Sequence, residues 1–186
     1  MIHEALNFFS CMCQKYLNVL FETRISLNGS DSVVVIDLLS NMLSSCLASD
    51  DPRPKRAAAA LWVKLLEKLK GPAEIPNRAE WLTRNGPDLT GWLIWNFAGG
   101  ASRSHIDFLL AVFTKMIFGY TMQMKAWIEN AFRSEVYWPP NAKATEQERR
   151  VWAAKVLALR GKRKETREVV EEFWLTCRGT AFRYTS

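Results

Sequence analysis

Apolar residues recur at steps of three and four along almost the whole of this 186-residue chain, and a helix-stopping signal follows each such stretch. That spacing puts side chains on one face of an α-helix, because each residue turns the helix by about 100°. Leu61, Leu65, Leu66 and Leu69 make one stripe, and Ile106, Leu109, Leu110, Phe113 and Ile117 make the most regular one. The stops are Asn28-Gly29, Asp50 to Pro54, Gly71-Pro72, Asn85-Gly86-Pro87, Gly99-Gly100, Gly119, Pro139-Pro140, Gly161 and Gly179. Glycine and proline punctuate helices in this way, and short links return each helix antiparallel to its predecessor.

Eight helices are expected from these stretches. The first runs from Ile2 to about Thr23 and opens without a capping Ser, Thr, Asp or Asn, so it reads as a start cut inside a larger array. Ser30, Asp31 or Ser32 is expected to cap the second, whose stripe is Val35, Leu38, Leu39, Met42, Leu43 and Cys46. Its β-branched opening, Val33 to Ile36, continues at helical period, so no strand is expected. Residues 73–86 are the least regular, with a short helical turn at Ala79 to Leu82. Pro87 is expected in the first turn of a fourth helix carrying Leu89, Trp92, Leu93 and Phe97, where a missing N–H costs nothing. Ser102 or Ser104 is expected to cap the fifth helix. The sixth carries Met124, Trp127, Ile128, Ala131 and Phe132; the seventh starts at a Thr145/Glu148 capping box and carries Trp152, Val156 and Leu159. The eighth carries Val169, Val170, Phe173, Trp174 and Cys177.

Read as pairs, these make about four hairpins of roughly 45 residues, near the ~40–47-residue period of HEAT and armadillo units. One hairpin cannot bury its own stripe, so hairpins must stack. The expected fold is therefore all-α, an α-α superhelix formed by a single array over residues 1–186, the closing end of a longer solenoid. Such a scaffold is made for holding partners.

The bulk numbers fit. Apolar residues are 48% and charged residues 24%, an ordinary globular balance. No apolar run approaches the ~18 residues that span a bilayer. His3 and Glu4 stand where a secretory leader would be basic, so the chain reads as intracellular. Cys11, Cys13, Cys46 and Cys177 read as structural thiols, because zinc needs more ligands at better spacing. Of the net charge of +6, eleven Lys/Arg against six Glu put +5 into residues 142–186.

Catalytic patterns are weak. Ser104, His105 and Asp107 crowd one helix start, but a nucleophilic triad must converge in space. Gly99-Gly100-Ala101-Ser102 precedes a helix and could offer N–H groups to an anion, yet no Gly-Lys-Ser/Thr follows; a tight interhelical turn is the simpler use. His3 is the only other histidine, and Glu171-Glu172 reads as a solvated pair. Arg160, Lys162, Arg163 and Lys164 look like a nuclear-localisation cluster, or a solvated interhelical link. With Arg149 and Arg150 they make the candidate basic protein-contact surface. The eight tryptophans mostly sit on apolar stripes rather than among the basic residues, which disfavours direct nucleic-acid binding.

Three stretches together resemble a known family. They are the Phe97-Ala98-Gly99-Gly100-Ala101-Ser102-Arg103-Ser104 turn leading to Asp107, the Trp127-Ile128-Glu129-Asn130-Ala131 helix, and Lys162 to Gly179 with Arg167-Glu168-Val169-Val170-Glu171-Glu172-Phe173 and Cys177-Arg178-Gly179. Their order and spacing are similar to the C-terminal part of the karyopherin-β nuclear transport receptors, in the importin-13/transportin-SR branch. The likeness is most specific from Leu89 onward; before Lys70 it rests on general HEAT character, including Cys46-Leu47-Ala48.

The resemblance implies a carrier shuttling between nucleus and cytoplasm. Protein cargo would lie on the inner face of the solenoid, the GTPase Ran would bind chiefly in repeats this chain lacks, and nucleoporins would be further partners. No cofactor, no enzymatic activity, no direct nucleic-acid binding and no membrane association are expected. The alternatives are a HEAT or armadillo adaptor unconnected with transport and a helical enzyme.

Overall fold

The computed structural model describes residues 2–26, 32–70 and 77–179, with the backbone alone at residues 2 and 3. Eight α-helices occur among them: α1 Ile2–Lys15, α2 Leu17–Glu22, α3 Val35–Ala48, α4 Pro52–Leu69, α5 Arg78–Trp95, α6 Ile106–Arg133, α7 Glu146–Ala158 and α8 Arg163–Arg178. The fold is all-α, with helix packed on helix. Three residues on each side, β1 Arg24–Ser26 and β2 Ser32–Val34, pair antiparallel with Ile25 opposite Val33. The chain divides into two compact units, Met1–Gly86 and Pro87–Ser186.

In the first unit α4 packs against both α1 and α3. Asp51 starts α4: its carboxylate accepts from the Arg53 N–H at 2.9 Å, and Pro52 occupies the first turn. Ala58, Ala59, Leu61, Trp62, Leu65, Leu66 and Leu69 are buried along it. Lys55 is buried too; burial pushes its pKa down against the attraction of Asp50. Trp81 joins this core, with its ring 5.7 Å from Trp62 and 5.4 Å from Phe21.

In the second unit α8 packs against α6, α7 and the π-turn Asn96–Gly100 that ends α5. The stripe residues Ile106, Leu109, Leu110, Phe113, Ile117, Met124, Trp127, Ile128 and Ala131 are all buried on α6. Thr145 and Glu148 form the expected capping box of α7.

Several local expectations are corrected. Val33 and Val34 do form a strand, because a partner at Ile25 and Arg24 takes their backbone bonds before the helical pattern takes hold. The helix therefore starts at Val35 after Val34, with no side-chain cap; Ser32 lies in the strand, and Ser30 and Asp31 lie outside the described residues. Its core face is turned by one residue, burying Ile36, Leu39, Ser40, Leu43, Cys46 and Leu47 and leaving Val35, Leu38 and Met42 at the margin.

The first helix breaks at Tyr16 (φ −131°, ψ 34°), between α1 and α2. Pro87 lies inside α5, which begins nine residues earlier at Arg78. Gly86 removes the Cβ that would clash with the proline ring, and the Trp81 carbonyl also accepts from Asn85 Nδ2 at 2.8 Å. Neither Ser102 nor Ser104 caps a backbone N–H: a 3-10 turn, Arg103–His105, leads into α6, and the two hydroxyls bond each other at 2.9 Å. The break expected at Gly119 is a kink at Tyr120 (φ −141°, ψ 39°) within α6. The stops at Asn28-Gly29 and Gly71-Pro72 lie outside the described residues.

Candidate interaction surface

Aromatic rings join the last three helices. Trp152 of α7 is buried and lies nearly parallel to Phe173 of α8, 4.4 Å between centroids and 19° between planes, and to Phe113 of α6, at 5.8 Å and 15°. Phe132 approaches Trp152 edge-on at 5.8 Å and Trp138 at 5.6 Å. Arg149 belongs to this joint: its Nη1 donates to the Phe132 carbonyl at 2.8 Å, and its guanidinium carbon lies 4.7 Å from the centre of the Trp138 ring. It is half-buried, so the structure assigns it to holding α7 on α6. Arg150 is exposed and paired with Glu146 one turn earlier.

The other four candidate cations stand together. Arg160 (φ 49°) and Gly161 (φ 80°) reverse the chain after α7, and Lys162 precedes the first residue of α8. Arg160, Lys162, Arg163 and Lys164 are all exposed, and none is in an ion pair among the described residues. The turn sits directly on α6. A Cβ at Gly161 would fall 2.7 Å from the Thr114 carbonyl oxygen and 3.1 Å from Phe118 Cβ. Phe118 is 74% exposed, and Met122, beyond the kink, is 87% exposed. Sequence reading missed both as surface features. They are apolar but out of step with the stripe ending at Ile117, and that mismatch was the available signal.

A second set of contacts fixes α8. Arg103 donates to Glu171 at 2.8 Å, and Arg167 contacts both Glu171 at 2.8 Å and Asp107 at 3.3 Å. Glu171 is therefore no solvated acid; Glu172 is exposed, 3.9 Å from Lys155. Burial pushes the Glu171 pKa up, but the bonds from Arg103 and Arg167 pull harder and leave it below the ordinary 4.5. A carboxylate held below its unfolded value stabilises the fold above that value and loses this contribution as pH falls through the folded one. Glu171→Gln is thus expected to lower stability by on the order of 1 kcal/mol near neutral pH. Melting curves from neutral pH to below pH 4.5 should show the gap to the parent protein closing as acid is added.

The Gly99–Ser102 segment is an interhelical turn whose Gly99 and Ala101 carbonyls face α8. Trp174 Nε1 donates to the Ala101 carbonyl at 2.8 Å, and Arg178 donates to the Gly99 carbonyl at 3.3 Å with its guanidinium 4.3 Å from the Trp174 ring. These bonds supply partners for carbonyls that a helix end leaves open. Asp107 is engaged by Arg167 and Ser104 by Ser102, while the His105 ring lies 5.5 Å from Phe108. The His3 side chain lies outside the described residues.

Cys13, Cys46 and Cys177 are buried, and Cys11 is exposed. Burial pushes the Cys13 and Cys177 thiols up to about 12. Among the described residues no group of three His, Cys, Asp or Glu could hold a metal ion, and no helix is long and apolar enough to cross a membrane. No protein-family model and no curated protein matches the chain.

Proposed function

We propose that this chain is a protein-binding segment of a karyopherin-β nuclear transport receptor of the importin-13/transportin-SR type, working as a scaffold rather than as an enzyme. The supporting observation is that two of the three stretches resembling that family touch. Trp174 and Arg178, from the last stretch, close over the carbonyls of Gly99 and Ala101 in the first. Residues that share a structural joint have a reason to occur together in the order and spacing of that family.

In this reading cargo binds to helix surfaces. Small rotations between packed helices transmit Ran binding elsewhere in the receptor to cargo release. The receptor shuttles between nucleus and cytoplasm and meets nucleoporins on the way.

The test is a pull-down with the full-length protein encoded by the gene, with and without GTP-loaded Ran. The expected result is direct binding of GTP-loaded Ran, or a changed set of bound proteins when it is present. If GTP-loaded Ran neither binds nor alters what is bound, the transport reading fails and a general helical adaptor takes its place.

A further inference from the structure

We propose that the α7–α8 turn and the adjoining surface of α6 form a docking site for an acidic protein segment carrying a bulky apolar residue. The site comprises Phe118 as its apolar contact and Arg160, Lys162, Arg163 and Lys164 as the charged rim. It rests on the protein-binding reading above but not on Ran.

Gly161 lies against Phe118, and consecutive Cα atoms are about 3.8 Å apart. Arg160 and Lys162 are therefore one residue from the base of the Phe118 side chain. Phe118 is 74% exposed on a helix whose core stripe is otherwise buried. A solvent-facing ring beside a cationic turn matches an interface core with a polar rim.

The four cations fall within five positions and have no acidic partner among the described residues. The cations elsewhere on α8 behave differently: Arg167 is taken up by Asp107 and Glu171. The rim is thus left to attract an external anion.

A peptide fits better than a lipid surface. Glu165 and Glu168 are exposed on the first turns of α8, next to the basic turn. A broad anionic surface would be brought against them as well, whereas a peptide can engage the turn alone.

The test uses the intact chain and three fluorescent probes in anisotropy titrations. They are a Glu/Asp-rich peptide with a central Phe-Leu pair, the same peptide with that pair replaced by Ser, and vesicles of phosphatidylcholine and phosphatidylserine. The expected result is saturable binding of the Phe-Leu peptide, weaker binding of the Ser peptide, and loss of affinity as salt rises. Phe118→Ala and the double change Arg163→Glu/Lys164→Glu should each weaken binding at least about tenfold. All of these positions are exposed, and unchanged far-ultraviolet circular dichroism would show the variants folded.

The proposal is overturned if the Phe-Leu peptide does not bind, or if it binds equally to the variants. It is also overturned if the Ser peptide binds as well, or if vesicles bind and the peptide does not. None of these outcomes bears on the Ran pull-down, so a failure here leaves the transport reading standing, and a failure there leaves this site intact.

Discussion

Replacing Trp152 with alanine is expected to destabilise the second unit by about 3–5 kcal/mol, the range for removing a large buried aromatic. Trp152 is 3% exposed and touches rings from three directions: Phe113, Phe132 and Phe173. Truncation removes contacts to α6 and α8 at once and leaves a cavity that three rings on two helices cannot jointly close. The control is Trp152→Phe. The indole Nε1 is buried without a hydrogen-bond partner among the described residues, so phenylalanine sacrifices no hydrogen bond there. The exchange loses part of the ring volume and is expected to cost on the order of 1–2 kcal/mol, well below Trp152→Ala. Urea unfolding followed by circular dichroism would measure both. If Trp152→Ala shifted the transition by less than about 1 kcal/mol, the cluster would not be the joint between these helices.

The difference between these residues and the rest shows what the sequence could disclose. Stripes on long helices were readable because burial and helical period coincide: Ile106 to Ile117 is buried at every predicted position. Helix ends were readable only where a local device fixes them, as at the Thr145/Glu148 box and at Gly179, which caps α8 in the left-handed region. The start of α5 escaped because Pro87 is the residue type that most often opens a helix, whereas here Gly86 and the packing of Trp81 on Trp62 and Phe21 carry the helix through it. The β1–β2 pair escaped because its helix-versus-strand choice depends on a partner six to ten residues away.

The candidate surface divides the same way. Six cations look alike in a sequence. Arg149 is set apart by the Phe132 carbonyl and the Trp138 ring, and Arg150 by Glu146. Contacts of that kind depend on tertiary packing, as does the close approach of Gly161 to Phe118.

That approach carries the second large effect. Gly161→Ala is expected to cost about 2–4 kcal/mol, from two sources that add. A φ of 80° is a backbone state that an L side chain enters only with strain. The new Cβ would also lie 2.7 Å from the carbonyl oxygen of Thr114, on the backbone of a helix whose face there is buried. Overpacking against something that cannot rotate away typically adds about 1–3 kcal/mol. Arg160 supplies the comparison, because it also has positive φ, at 49°, but is exposed. Arg160→Gly relieves left-handed strain while making the unfolded chain more flexible, so its net effect should stay within about 1 kcal/mol. Thermal melts of the two variants should therefore separate clearly. A Gly161→Ala shift of only about 1 kcal/mol would mean that the sign of φ matters and the Thr114 contact does not. The expected large shift for Gly161→Ala alone would mean that the turn is pressed onto α6, the condition under which Phe118 and the four cations can act on one partner together.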